Sequence, residues 1–367
     1  MSGIFLLLLL PALQSCAPEG PKVSSVQEIP KIRPVTPEER KSYLGSEACA
    51  SCHSEQFAAH DGSHHAETLS LVTAETHGER FQKPSDVTDP KRELHYVTGV
   101  KDGQCIQTVT TREGTDTIAA KYGFGSGKHG VTYMGEFQNR LLELRLSFYP
   151  EVGRWHFSPG QKVEEVSGGM LFPSGLVKTA DVMEECFNCH TTALVKEGQR
   201  IQPEKAFLGL GCESCHGPGK AHVEAINTGS RDIKMARLGQ MRERLSTELC
   251  GQCHRSPAGD DLNEPFNKAQ LPRLQGLALP QSPCFTNSEG RLSCLTCHNA
   301  HGDTKLTLAE YDGKCISCHS SAPAAPQDAH AVCPIEPTRD CVSCHMPKQD
   351  VNMPFGLKFR THWIKVW

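Results

Sequence analysis

Fourteen of the eighteen cysteines fall into seven Cys-x-x-Cys-His units. They are Cys49, Cys52 and His53; Cys186, Cys189 and His190; Cys212, Cys215 and His216; Cys250, Cys253 and His254; Cys294, Cys297 and His298; Cys315, Cys318 and His319; and Cys341, Cys344 and His345. This spacing lets two thiols add to the two vinyl groups of one haem while the adjacent imidazole ligates its iron. At this composition chance would supply roughly 0.04 such units. A disulfide framework or zinc sites would also use cysteines, but neither explains a histidine after the second cysteine every time. The implied cofactor is seven covalently attached haem c groups, with His53, His190, His216, His254, His298, His319 and His345 as proximal iron ligands.

Eleven further histidines lie outside the motifs, and seven irons need at most seven of them. Chain length restricts the pairing. His301 follows His298 by three residues, which span about 10 Å at most. That is too short to pass round a macrocycle to its far face, so His301 must serve a different haem if it ligates iron. The argument extends, with less force, to His222 after His216 and His60 after His53. The leading distal candidates are His65, His222, His301, His330 and His362, followed by His129 and His64. His60, His77, His95 and His156 rank lower. Met346 and Met353 are the nearest thioether alternatives, but the histidine surplus favours histidine pairs.

The rest of the composition fits a haem-filled interior. Hydrophobic residues make up 38% of the chain, cysteines included, and aromatics 6%. With 38 basic against 42 acidic residues there is no basic field for nucleic acid. Ile4–Leu10 is an apolar stretch of signal-peptide length. Leu13-Gln14-Ser15-Cys16 after it resembles a bacterial lipobox, although no Lys or Arg precedes Ile4. The reading is a lipoprotein signal over 1–15, lipidation at Cys16 and a Pro-rich tether over 16–44. An ordinary cleaved signal with an incidental cysteine is the alternative.

The motifs divide what remains. A first haem segment covers 45–66, a haem-free insert 67–180 and a six-haem domain 181–367. The insert reads as β-rich. Leu94–Val100 and Cys105–Thr111 flank a hairpin turn, and Thr117–Tyr122, Val131–Met134, Leu141–Tyr149 and Arg154–Phe157 are further strand candidates. The glycine-rich run from Gly123 to His129 fails as a phosphate loop, because Tyr122 stands where glycine is needed and His129 replaces the Ser/Thr. It reads as a tight turn. In the haem-rich part each motif should occupy a helical turn, with helices over Arg231–Leu245, Leu306–Tyr311 and Ala180–Cys186 and a long loop from Pro257 to Pro283. The expected fold is therefore a mainly α and irregular multihaem cytochrome c with little regular structure, a haem-packed core and a small β-rich insert. Of the leftover cysteines Cys105, Cys284 and Cys333, the pair Cys284–Cys333 is the candidate disulfide.

Four stretches resemble the multihaem cytochromes of the c-554 and c-prime type. They are Ser63-His64-His65-Ala66, Cys212-Glu-Ser-Cys-His-Gly-Pro-Gly-Lys-Ala-His222, Cys294-Leu-Thr-Cys-His-Asn-Ala-His301-Gly, and Cys341-Val-Ser-Cys-His-Met-Pro-Lys348 with Thr361-His362-Trp363-Ile364. The resemblance implies His65, His222, His301 and His362 as distal ligands and electron transfer as the activity. Haem order does not carry over, because this chain has more motifs than the tetrahaem members.

The function read from these features is an exported seven-haem electron carrier with mostly bis-histidine irons. It would sit in a bacterial periplasm or at the cell surface, lipid-anchored to a membrane. Its redox partners would be other cytochromes or a membrane quinol or respiratory complex. The competing readings are an oxidoreductase acting on a small nitrogen or sulfur species at one open iron, and a subunit of a larger haem-wire complex. An open iron, if there is one, is expected near the lone first motif.

Overall fold

The computed structural model describes residues 29–138, 140–161, 169–238, 243–254, 271–303, 306–319, 332–336 and 338–367. The apolar leader, Cys16, the Pro-rich segment up to residue 28, residues 255–270 of the expected loop and His330 lie outside the described residues.

The sheet overturns the expected fold class. Ten strands form one antiparallel sheet that curls into a half-barrel, so the chain is not mainly α with little regular structure. In chain order they are β1 Leu69–Leu71, β2 Val87–Asp89, β3 Leu94–Lys101, β4 Gln104–Thr110, β5 Thr115–Phe124, β6 Val131–Phe137, β7 Arg140–Tyr149, β8 Arg154–Phe157, β9 Gly169–Phe172 and β10 Gly175–Lys178. The order across the sheet is β2-β3-β4-β5-β6-β7-β10-β9, with β1 added to β5 and β8 to β7. The long strands announce themselves by β-branched and aromatic content. β1, β2, β9 and β10 are three or four residues long, too short to carry an alternation of their own. β1, β2 and β10 pair with the longer strands β5, β3 and β7, and β9 pairs with β10.

Local turn chemistry fixes the meander. The β3–β4 hairpin turns on Asp102 and Gly103 at φ 51° and 76°, the left-handed pair that suits a two-residue loop. Between β5 and β6, Gly125 has φ +112°, and a Cβ there would stand 2.3 Å from the Gly130 carbonyl oxygen. That turn is what the glycine-rich run from Gly123 to His129 builds.

A bulge gives the sheet two cores. One extra residue in β5 shifts its pairing with β6 between Ala120 and Tyr122. Ile118 and Ala120 accordingly join a core with Tyr96, Tyr133, Phe81, Trp155 and Leu144. Tyr122 and Phe124 join another with Met183, Phe187 and Leu194. Met183 and Phe187 belong to the helix Ala180–Asn188, which also carries Cys186. Phe187 is fully buried and meets Tyr122 and Phe124 edge-on at 5.3 and 4.9 Å. The sheet is thus the floor on which the second motif stands.

The other helices are short. They include Glu243–His254 and Leu308–Ile316, each displaced toward its C-terminus from the helix read in the sequence. Thr307 starts the second with a capping box, accepting from Glu310 N while Glu310 accepts from Thr307 N at 2.7 Å. The end of the expected loop is ordered: Leu271–Arg273, Gln275–Ala278 and Leu279–Gln281 are successive helical turns. Cys284 and Cys333 are free thiols, so the expected disulfide is not formed. Cys105 is also free, buried in the sheet core with its thiol donating to the Thr73 carbonyl. Among the described residues no helix is long and apolar enough to cross a membrane.

Phe187→Ala removes the ring that joins sheet to motif helix. The expected cost is about 3–5 kcal/mol, read as a lower denaturant midpoint; an unchanged midpoint would show that this contact does not hold the two parts together.

Candidate haem-binding sites

Each first cysteine of the seven motifs lies on a helix. The unit closes on itself through a bond of the α-helical kind in several cases: His53, His298 and His319 each donate their backbone N–H to the carbonyl of their first cysteine at 2.9 Å. This turn brings both thiols and the imidazole to one side.

The rings are then aimed by their second nitrogen. Nδ1 of His190 bonds the Thr68 carbonyl at 2.9 Å, that of His216 the Ala236 carbonyl at 3.3 Å, and that of His345 the Lys365 carbonyl at 2.9 Å. Nδ1 of His222 bonds the Ile233 carbonyl at 2.7 Å and that of His254 the Gln275 side-chain oxygen at 3.2 Å. A carbonyl can only accept, so each ring keeps its proton on Nδ1 and leaves the Nε2 lone pair for a metal. Burial lowers the pKa of His65, His190, His216, His298 and His362, the last to about 4. These rings stay neutral at neutral pH, as ligation requires.

Among the described residues, four motif histidines are seen to face a second imidazole. The pairs are His53 with His222 (6.4 Å between ring centroids), His254 with His65 (6.1 Å), His216 with His301 (6.2 Å) and His298 with His362 (6.2 Å). These separations are too wide for ring stacking. They fit two metal–nitrogen bonds of about 2 Å plus the two ring radii, so the residues present suit an iron held between them. The His362 Nδ1 atom is buried without a partner. His301 faces His216 and not its neighbour His298, as chain reach demands. His222 stands opposite His53, so the first motif is not where an iron would lack a second imidazole. Among the described residues no second imidazole ring packs against His190 or His345.

The other histidines are placed differently. His64 pairs with Asp303 at 3.5 Å. His129 bonds Glu151 through Nδ1 at 2.6 Å and lies against Phe359. His95 bonds Asp86 on the surface, His60 lies half-buried near His301, and His156 packs on Phe355. His77 has both nitrogens engaged, Nε2 with Ser70 Oγ at 2.8 Å and Nδ1 with Tyr133 and Arg80. Burial and the Arg80 guanidinium depress its pKa to about 4; it is part of the sheet core.

Thiols of different motifs adjoin. Burial and the neighbouring Cys212 thiol raise Cys49 to about 11, and burial with Cys341 nearby raises Cys315 to about 12. Cys250 is raised by its hydrogen bond with Cys294 and by burial, and Cys253 by its hydrogen bond with Cys189 and by burial. The first motif thus touches the third, the fourth touches both the second and the fifth, and the sixth touches the seventh.

Backbone clamps hold these contacts. The buried Glu213 carboxylate, inside the third motif, accepts from Leu44 N, Gly45 N and Gly219 N at 2.6–3.0 Å. Ser46 Oγ accepts from Cys212 N at 3.1 Å. Asp312, buried beside the sixth motif, accepts from Val342 N in the seventh at 3.0 Å. Gly209 has φ +76°, and a Cβ there would stand 1.9 Å from the Ala66 carbonyl oxygen, so glycine lets the His65 segment come close. The sequence places Glu213 in the third motif's family resemblance without a role for it, and carries no signal for Ser46, Gly209 or Asp312.

The family model for cytochrome c554 and c-prime matches residues 48–124 and 163–217. This chain resembles that family. The match spans the first three motifs and part of the sheet, and it implies covalently bound haem c and electron transfer. Over 202 residues the chain is 24% identical to the C-type polyheme cytochrome OmcB of two Geobacter sulfurreducens strains, covering 47% of this chain. It spans about a quarter (26%) of the length of those curated relatives. A solved structure, the outer cell wall cytochrome OcwA, aligns over 88% of this chain and 80% of its own at a TM-score of 0.48 and 16% identity.

Replacing Glu213 by Ala leaves three backbone donors without their acceptor. A loss on the order of 3 kcal/mol is expected, with Gln recovering part of it because its amide oxygen still accepts. Equal stability of wild type and Glu213→Ala in denaturant titration would refute the clamp.

Proposed function

We propose that this protein carries seven covalently attached haem c groups and passes electrons along them, four of the irons being held between His53 and His222, His216 and His301, His254 and His65, and His298 and His362. The observation that supports this reading is the common 6.1–6.4 Å separation of those four pairs. Bound haem iron supplies a one-electron couple. The chain's residues do the rest: thiols tether and carbonyls orient the imidazoles. Imidazole on both faces favours lower potentials than a methionine–histidine pair. The contacts between thiols of different motifs support a path from first to third motif, a junction at the fourth, and a run from sixth to seventh.

The remaining parts of the reading concern the whole protein. It is an exported lipoprotein, anchored through Cys16 to a bacterial membrane and held off its surface by the Pro-rich residues before Ile29; from there on the chain packs on the body, with Val35 buried and paired with Val195. It exchanges electrons with other cytochromes or a membrane quinol or respiratory complex. The competing reading is an oxidoreductase for a small nitrogen or sulfur species at an open iron.

Three measurements test these readings. Intact mass with a haemochrome assay should count seven haems, and five or fewer would refute the first. Electron paramagnetic resonance of the oxidised protein should be predominantly low-spin, and His301→Ala should convert one haem to high spin; several high-spin haems in the wild type, with turnover of nitrite, hydroxylamine or tetrathionate, would favour the enzyme. Cys16→Ala should move the protein from the membrane pellet to the soluble fraction; full retention in the pellet would mean that Cys16 is not the anchor.

A further inference from the structure

Residues 361–367 form a strap across two haem motifs. Ile364 N donates to Ser282 Oγ at 2.8 Å, and Ser282 Oγ donates to the His362 carbonyl at 3.2 Å. Trp363 donates its indole N–H to the Gln281 carbonyl at 3.1 Å and packs on Leu271, Leu277 and Ala278. The strap therefore carries the ring facing His298 at one end. At the other it reaches the seventh motif. The Lys365 carbonyl accepts from His345 Nδ1 at 2.9 Å, and the Trp367 indole N–H donates to the His345 carbonyl at 3.1 Å. The Lys365 ammonium lies between two indoles, 3.7 Å from the Trp363 ring centre and 4.1 Å from that of Trp367.

This arrangement is unusual for a lysine near the surface, where the ammonium ordinarily points into water. The two electron-rich faces anchor the side chain, and the Lys365 N–H meets the His345 carbonyl at 3.5 Å, so side chain and main chain of one residue are held together on the seventh motif. That backbone supplies the oxygen that aims the His345 ring. A hydrogen bond from Nδ1 to a carbonyl raises the electron density at Nε2, strengthens the axial bond and favours ferric iron. The ammonium and the imidazole are thus linked through one residue's main chain.

Resting on the seven-haem reading above, we propose that Lys365, caged by Trp363 and Trp367, is a positioning residue that sets the potential of the haem bound at His345 by holding its carbonyl on that ring.

The test is protein-film voltammetry and haem counting on the full chain with haem loaded. In Lys365→Met, and separately in Trp367→Leu, the haem count should equal the wild type's and one wave should shift to higher potential, because the ring loses its acceptor. Lys365→Arg keeps a cation between the indoles and should leave that wave in place. The half-exposed Trp367 gives a variant that leaves the core untouched. A shift to lower potential in Lys365→Met with no shift in Trp367→Leu would mean that the ammonium acts by its charge alone, and would overturn the proposal. So would unmoved waves in both. A wild-type count below seven, with no haem on Cys341 and Cys344 by peptide mass, would instead refute the underlying reading.

Discussion

An imidazole tethered a few residues from its own haem cannot reach the opposite face of that haem, and this limit of chain length organises the haem-rich half. His301 is three residues from His298, and His222 six from His216. As an iron ligand His301 must serve another motif's haem, and His222 is disposed to do so; in the structure His301 meets His216 and His222 meets His53. The same exchange takes His65, which follows the first motif, to His254 of the fourth. Segments that carry little aliphatic side chain are tied together by reciprocal contacts that run from motif to motif. The bonds that aim the rings, such as His190 to Thr68 and His345 to Lys365, then fix which nitrogen is available.

Such an array needs rigid ground, and the sheet provides it. The bulge at Ala120–Tyr122 is the pivotal local feature. Without the extra residue, Tyr122 and Phe124 would face the same core as Ile118 and Ala120, and Phe187 would have no aromatic floor. With it, the sheet divides its side chains between its own interior and the helix of the second motif. Phe124 also meets the His190 ring at 5.2 Å. The β-rich part and the haem-rich part are therefore one packing problem, solved at Phe124 and Phe187.

Buried polar groups complete the tie. Glu213 and Asp312 lie in the haem-rich region and accept from backbone N–H groups outside their own motif: Glu213 from Leu44 and Gly45 just before the first motif, Asp312 from Val342 in the seventh. Their burial is tolerated because those donors satisfy them.

The sequence by itself determined the chemistry. Seven Cys-x-x-Cys-His units can be read without any structure because attachment is local: two thiols and an imidazole within five residues make the whole unit. Reach also excluded His301 as a partner of His298 from spacing alone, and β-branched residues marked the long strands and the Asp102–Gly103 hairpin. The extent of the sheet was misjudged, because β1, β2, β9 and β10 are too short to carry a signal, and β1 and β10 are held by strands well removed in sequence, β5 and β7. Which distant imidazoles face each other, why His77 is a core residue, and how Glu213, Gly209 and Lys365 serve the motifs were decided by tertiary structure. These roles depend on contacts across tens to more than a hundred residues, and no local pattern records them.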